Sequence, residues 1–272
     1  MRGLVDALIQ QLAGFPVFVL GLVASAAASL GTGVGALPVL AFRRVSQRTQ
    51  DVLQSVAAGI MLAATTFSLV APGVEAGAAR LGTPLLGALA VAASALAGAT
   101  AVLLLHRHVP HEHFVSGPDG PAGSRLRRTW LFVIAVTLHN FPEGLSVGVG
   151  FGGGDVANGL ELTLAILVQN LPEGFIVALG LLAAGYRPGF SVLVSCGTGF
   201  VETAGGLVGA TAVSLSSSVL PWSLGFAAGA MLFVISHEIV PETHRNGFEV
   251  EATFGLLGGF LLMVVLGAGL GA

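Results

Sequence analysis

Eight stretches of roughly 20 or more apolar residues divide this chain, and each is long enough to cross the ~30 Å hydrocarbon core of a bilayer as a helix. They fall at 15–42, 51–72, 82–105, 129–151, 159–184, 188–213, 222–243 and 252–270. Only 9% of the 272 residues are charged, against about 25% in a soluble domain, so there is too little polar surface to cover a water-exposed globule. The expected fold class is an all-α integral membrane protein, with 1–272 forming a single transmembrane domain. Residues 1–14, "MRGLVDALIQQLAG", are too short and polar to span and are expected at the interface. The first apolar run is longer than a signal peptide's apolar region, so it reads as a retained span. The lone Cys196 excludes an internal disulfide and reads as a packing residue.

All eleven basic residues are Arg. With the N-terminus outside the cytoplasm, Arg43, Arg44, Arg48, Arg107, Arg125, Arg127, Arg128, Arg187 and Arg245 fall on the cytoplasmic side and only Arg2 and Arg80 outside. That is a positive-inside bias. Eight spans then leave both termini extracytoplasmic, and the longest connection, 106–128, is a cytoplasmic loop rich in Gly, Pro and Ser. The expected setting is the cell's inner (plasma) membrane, with the lipid bilayer as a partner and no nucleic-acid partner.

Into this apolar background spans four and five introduce "HNFPEG" from His139 and "QNLPEG" from Gln169. Counting ~1.5 Å of rise per residue, His139, Glu143, Glu173 and Glu202 all come near the midpoints of their spans. A carboxylate at the bilayer centre costs at least ~2.5–3.5 kcal/mol, which makes such residues functional candidates. Three helices bringing carboxylates to one depth call for a common counter-charge. His139 and Glu143 stand at i and i+4 on one helical face, as do Gln169 and Glu173, so each pair can hold one ion between adjacent turns. Asn140 and Asn170, ~100° further round, can address a second position or hold the first ion's carboxylates. Pro142 and Pro172 free the carbonyls of Leu138 and Val168, an irregularity tolerated in lipid where it lines a cavity. Consecutive spans run antiparallel, so the repeated motif predicts a pseudo-twofold axis in the membrane plane relating spans four and five.

An imidazole, carboxylates and an amide suit Zn²⁺ better than Mg²⁺ or Ca²⁺. The absence of a thiolate favours reversible binding. In span seven, "FVISHEIVPETHR" places His237 and Glu238 toward the cytoplasm, with Glu242 and His244 at the water boundary. "HEIVP" starts like a zinc-protease signature, but Pro241 stands where the second His is required. The segment "HRHVPHEHF" puts His106, His108, His111 and His113 on the loop, where clustered imidazoles can bind metal loosely.

With "HNFPEG", "QNLPEG", Glu202 in "GFVETAGGLVGA", "SHEIVPETHRNG" and the His-bearing loop after span three, the chain resembles the ZIP (Zrt/Irt-like) family of divalent-metal transporters in a bacterial form. The resemblance implies an eight-helix bundle that moves Zn²⁺, and also Cd²⁺ or Fe²⁺, into the cytoplasm. It further implies an elevator-type motion, a homodimer, no enzymatic activity and no cofactor beyond the bound, transported ion. Carried over, His139, Glu143, Gln169 and Glu173 form the primary site, with Met61 of "AAGIMLAATTFSL" as a soft ligand. Asn140, Asn170 and Glu202 form a second site, bridged to the first by Glu143 and Glu173. Ser68 and Glu75 mark the external entrance, and His237 and Glu238 the inner release path. Two positions depart from the family: Asn170 stands where relatives can have Asp, and Phe248 where they can have His. Transport in the opposite direction, metal sensing and an intramembrane metal-dependent hydrolase are the rival readings.

Overall fold

The computed structural model describes residues 2–108 and 124–270. Among them, eight helices are long and apolar enough to cross a membrane. A short helix α1 (Arg2–Leu12) turns Ile9 and Leu12 onto the core, and α2 (Val17–Ala36) is the first span. The second span runs as one rod from α3 (Gln47–Ala64) through a π-helical turn, Thr65–Val70, into α4 (Ala71–Leu81). Then come α5 (Pro84–His108), α6 (Ser124–Gly150), α7 (Val156–Ala183) and α8 (Pro188–Leu215). The seventh span starts as α9 (Leu220–Val234), passes a second π-helical turn, Ile235–Ile239, and ends as α10 (Val240–Thr243). The eighth is α11 (Glu249–Leu270).

The two π turns have one cause. Pro72 and Pro241 have no N–H to give the carbonyls of Ser68 and His237 four residues earlier, and the wider turn absorbs the loss without ending the helix. For this reason the second span reaches Leu81, beyond the end at residue 72 expected from the sequence. Pro142 and Pro172 likewise lie inside continuous helices.

The spans pack as two bundles. In one, α2, α6, α7 and α8 pack against one another; in the other, α3 packs on α11, α5 on α9 and α4 on both α5 and α9. The bundles meet where α3 crosses α7 and α6 crosses α9. The pattern repeats itself: α2 on α7 matches α8 on α6, and α3 on α11 matches α9 on α5. A twofold axis in the membrane plane, passing between α6 and α7, produces this pairing.

Small residues allow the closest crossings in the first bundle. A Cβ on Gly144 would lie 1.7 Å from the carbonyl oxygen of Glu202 on α8, and one on Gly174 would lie 1.9 Å from that of Thr32 on α2. The last letter of each "PEG" is therefore set by a neighbouring backbone. At Gly144 that backbone is the one that carries Glu202 into the centre of the bundle.

Candidate metal centre

At the middle of the seam between bundles, α6 contributes His139, Asn140 and Glu143, α7 contributes Gln169, Asn170 and Glu173, and α8 contributes Glu202. Asn140, Glu143, Gln169, Asn170 and Glu202 are all at most 1% exposed. The Gln169 amide donates to Asn170 Oδ1 at 2.6 Å and also faces the Glu143 and Glu173 carboxylates. The Asn170 amide donates to Glu202 Oε2 at 2.8 Å and to the Ala28 carbonyl at 3.0 Å. Glu173 and Glu202 both press electrostatically on Glu143.

These groups are not satisfied by one another. Glu143 Oε2, Glu173 Oε1, Glu202 Oε1 and both amide atoms of Asn140 are buried with no hydrogen-bond partner among the described residues. Buried polar groups are paired in more than about 90% of cases, and three clustered carboxylates repel one another in a low-dielectric setting. A divalent cation answers both costs, because it takes oxygen ligands and neutralises the charge. The donor set fits such an ion.

Toward the Arg-rich end the polar groups continue. His139 Nε2 lies 2.5 Å from Glu238 Oε2, and Glu238 Oε1 lies 3.0 Å from His106 Nδ1. The two imidazoles are 5.7 Å apart between ring centroids. His106, His139 and Glu238 each offer a ligand atom, all within 4.8 Å of one another. A cavity of about 100 Å³ runs along this line, bordered by Glu143, Gln169 and Glu173 inside, then His139, His237 and Glu238, with Gln54, Phe132 and Glu242 nearer the Arg-rich end. On the opposite side of the centre the packing is closed: Met61, Leu69, Leu162, Ala165 and Ile166 are all at most 1% exposed.

His106, 33 residues before His139 in the chain, does not lie where the sequence reading puts it. Expected on a loop, His106 instead lies in the last turn of α5 and is 7% exposed. Span three continues to His108, and 124–128 already belong to α6, so the connection is shorter than 106–128 at both ends. The signal was present in the chain: Ser94, Gly98, Val102 and His106 recur at four-residue steps on the buried face of α5. His108 sits exposed, its Nδ1 2.7 Å from the Leu104 carbonyl. His111 and His113 lie outside the described residues.

The other candidates spread along the same seam. His237 is exposed at the cavity's edge, its ring 4.8 Å from that of Phe233. Met61 is fully buried among apolar neighbours and does not border the cavity. Ser68 is fully buried on the first π turn, and Glu75 is exposed on α4, both toward the Arg-poor end. Gln54 and Glu242, at the cavity's mouth, were not singled out as site residues from the sequence; each is one polar residue near a helix end, which by itself carries no signal.

The ZIP zinc transporter family matches residues 99–267 of the chain. The "Zinc transporter GufA" of Myxococcus xanthus is 47% identical over 251 residues, covering 92% of this chain and 99% of that protein. This chain belongs to the ZIP family. The "Zinc transporter ZIPB" of Bordetella bronchiseptica is 45% identical, covering 90% of this chain and 80% of that protein. The human "Zinc transporter ZIP11" is 42% identical over 157 residues, or 56% of this chain and 46% of its own length. The ZIP family is one of transporters, so the hydrolase reading falls away, and the eight-span, all-helical architecture agrees with the family.

Proposed function

We propose that this ZIP protein carries Zn²⁺ across the membrane into the cytoplasm, with Cd²⁺ and Fe²⁺ as further ions its ligand set accepts. The observation that carries the reading is the unbroken line of buried metal-ligating groups from Glu202 through Glu143 and Glu173 to His139, Glu238 and His106, open toward the Arg-rich end. That end is cytoplasmic by the positive-inside bias, so the described state faces inward, sealed by the apolar packing around Met61 and Leu162 on the other side.

In this reading His139, Glu143, Gln169 and Glu173 replace the ion's hydration shell at mid-membrane. Asn140, Asn170 and Glu202 line an adjacent position. Glu238 and His106 then compete for the ion, drawing it from His139 toward His237 and the aqueous mouth. The ligands are exchangeable because none is a thiolate. Movement of the α2–α6–α7–α8 bundle against the other, as an elevator, would present the same site to either side. Metal binding requires deprotonated ligands, so acidification weakens it. The apolar outer faces of α5, α8 and α11 suit lipid and, as in the family resemblance, a second copy of the chain.

Uptake of Zn²⁺ into proteoliposomes carrying an internal zinc dye tests the proposal. Wild type is expected to carry Zn²⁺, and a His139→Ala/Glu143→Ala double variant to lose at least ~100-fold of the rate, since even supporting residues around a metal alter affinity 10–100-fold. Unchanged flux in that variant would sink the assignment. Vesicles of known orientation separate import from export.

A further inference from the structure

Glu161 takes no part in the site described so far, although it is a carboxylate inside a span and only 4% exposed. It shares a face of α7 with the motif, since residues 161, 165, 169 and 173 follow at four-residue steps. Its Cα is about 12 Å from that of Gln169 along the helix axis, on the Arg-poor side. A carboxylate in a membrane helix is costly enough to be a functional candidate on that ground alone.

Its surroundings sharpen the case. Ser68, fully buried on the first π turn, lies close to the Glu161 carboxylate, and its hydroxyl makes no hydrogen bond among the described residues. On α11 the backbone leaves room for the acid only because residue 267 is glycine: a Cβ there would lie 2.4 Å from Glu161 Oε1. No cation pairs with Glu161 among the described residues, and Asp155 is an acid that acts on it. Arg80, at the same end, is engaged with Ser218.

Glu161 belongs to one bundle, whereas Ser68 and Gly267 belong to the other. The carboxylate therefore lies in the seam that must part for the external side to reach the centre. Between it and Gln169 stand Leu162, Ala165 and Ile166, facing Met61 and Leu69. Glu75 is exposed two turns beyond Ser68, toward the water.

We infer that Glu161 and Ser68 form an outer binding position for the divalent cation, the first ligands to remove part of its hydration shell before it passes to the mid-membrane carboxylates. This inference rests on the transport reading above. A carboxylate and a hydroxyl make a hard, weak, oxygen-only position that suits an ion still holding water. It differs from the His-containing centre, and it gives the acid the cation that the protein does not supply.

The test is initial-rate Zn²⁺ uptake by proteoliposomes over a range of external Zn²⁺, comparing wild type with Glu161→Gln, Glu161→Asp and Ser68→Ala. Glu161→Gln is expected to raise KM about tenfold, the scale of losing one metal-site interaction, and to leave the maximal rate within about twofold of wild type, as removal of uniform binding does. Glu161→Asp should restore most of the affinity, and Ser68→Ala should raise KM less than Glu161→Gln. A wild-type KM in Glu161→Gln, or a fall in maximal rate with KM unchanged, would overturn the outer position and leave Glu161 as packing. A wild type without Zn²⁺ flux overturns the transport reading, and this position with it. Should Glu161→Gln not yield monodisperse protein, Glu161→Asp and Ser68→Ala decide by the same KM criterion.

Discussion

The two motif segments are written in nearly the same letters but are tied to different parts of the molecule. On α6, His139 reaches across the seam to Glu238 on the second π turn and so to His106 on α5, while Asn140 beside it is buried with neither amide atom bonded among the described residues. On α7, Gln169 stays within its own bundle, donating to Asn170, which in turn holds Glu202 and the Ala28 carbonyl. A near-symmetric scaffold thus carries an asymmetric path. One helix hands ligands toward the Arg-rich end, and the other braces the carboxylates. The residue that makes the difference is the first of each motif: an imidazole binds metal and pairs with a carboxylate, whereas a neutral amide supplies only hydrogen bonds and a weak oxygen ligand.

The largest expected effect comes from erasing that difference. His139→Gln makes the two motifs begin alike and removes the imidazole that the two motifs contribute to the centre. Zn²⁺ uptake in proteoliposomes should fall about 100-fold, at the upper end of losses seen when a metal's surroundings are altered. The exchanged double variant His139→Gln/Gln169→His should not recover, because the new imidazole would sit beside Asn170 and not beside Glu238. Recovery to within a few-fold of wild type would show that the halves are interchangeable and that the path through Glu238 is immaterial.

A second comparison uses the glycines that close the motifs. Gly144→Ala and Gly174→Ala place a methyl 1.7 Å and 1.9 Å from a backbone oxygen, so each must push two helices apart at a cost of about 1–3 kcal/mol or more. Both should lower the thermal midpoint in detergent by similar amounts. Only the first displaces the stretch of α8 that carries Glu202, so Zn²⁺ affinity by titration calorimetry should drop further in Gly144→Ala than in Gly174→Ala. Equal affinities would mean that the position of Glu202 is not coupled to this crossing.

Much of this was legible in the chain, for reasons that can be named. Apolar runs of spanning length have few alternatives, and "HNFPEG" and "QNLPEG" marked the centre because charge at that depth has no passive explanation. Three features escaped for different reasons. The second span was expected to end at residue 72, yet the π turn at Thr65–Val70 carries the helix past Pro72 to Leu81, where the bilayer demands that backbone hydrogen bonds be kept. His106 read as loop because three more histidines follow it, although the small residues at 94 and 98 and Val102 place it on the buried face of α5. Glu161 lay close to the start of its span, where a carboxylate reads as interfacial, and only packing against Ser68 and Gly267 reveals its burial.

The smallest effect separates the two asparagines, which the sequence alone could assign either to a second ion or to bracing. Asn170→Ala removes the donor to the buried Glu202 carboxylate and to the Ala28 carbonyl, and leaving such groups unsatisfied costs about 1–3 kcal/mol. It should therefore appear as lost thermal stability in metal-free protein. Asn140→Ala removes an amide with no hydrogen-bond partner among the described residues, so no hydrogen bond is lost and metal-free stability should fall less than in Asn170→Ala. If Asn140 touches the ion, uptake falls a few-fold nonetheless, and the stabilisation of the protein by added Zn²⁺ shrinks, because a ligand bound only by the native state stabilises it in proportion to its affinity. Were Asn140→Ala to retain wild-type uptake and wild-type stabilisation by Zn²⁺, its buried amide would have no contact with the ion, and the second position would reduce to Glu202 held in place by Asn170.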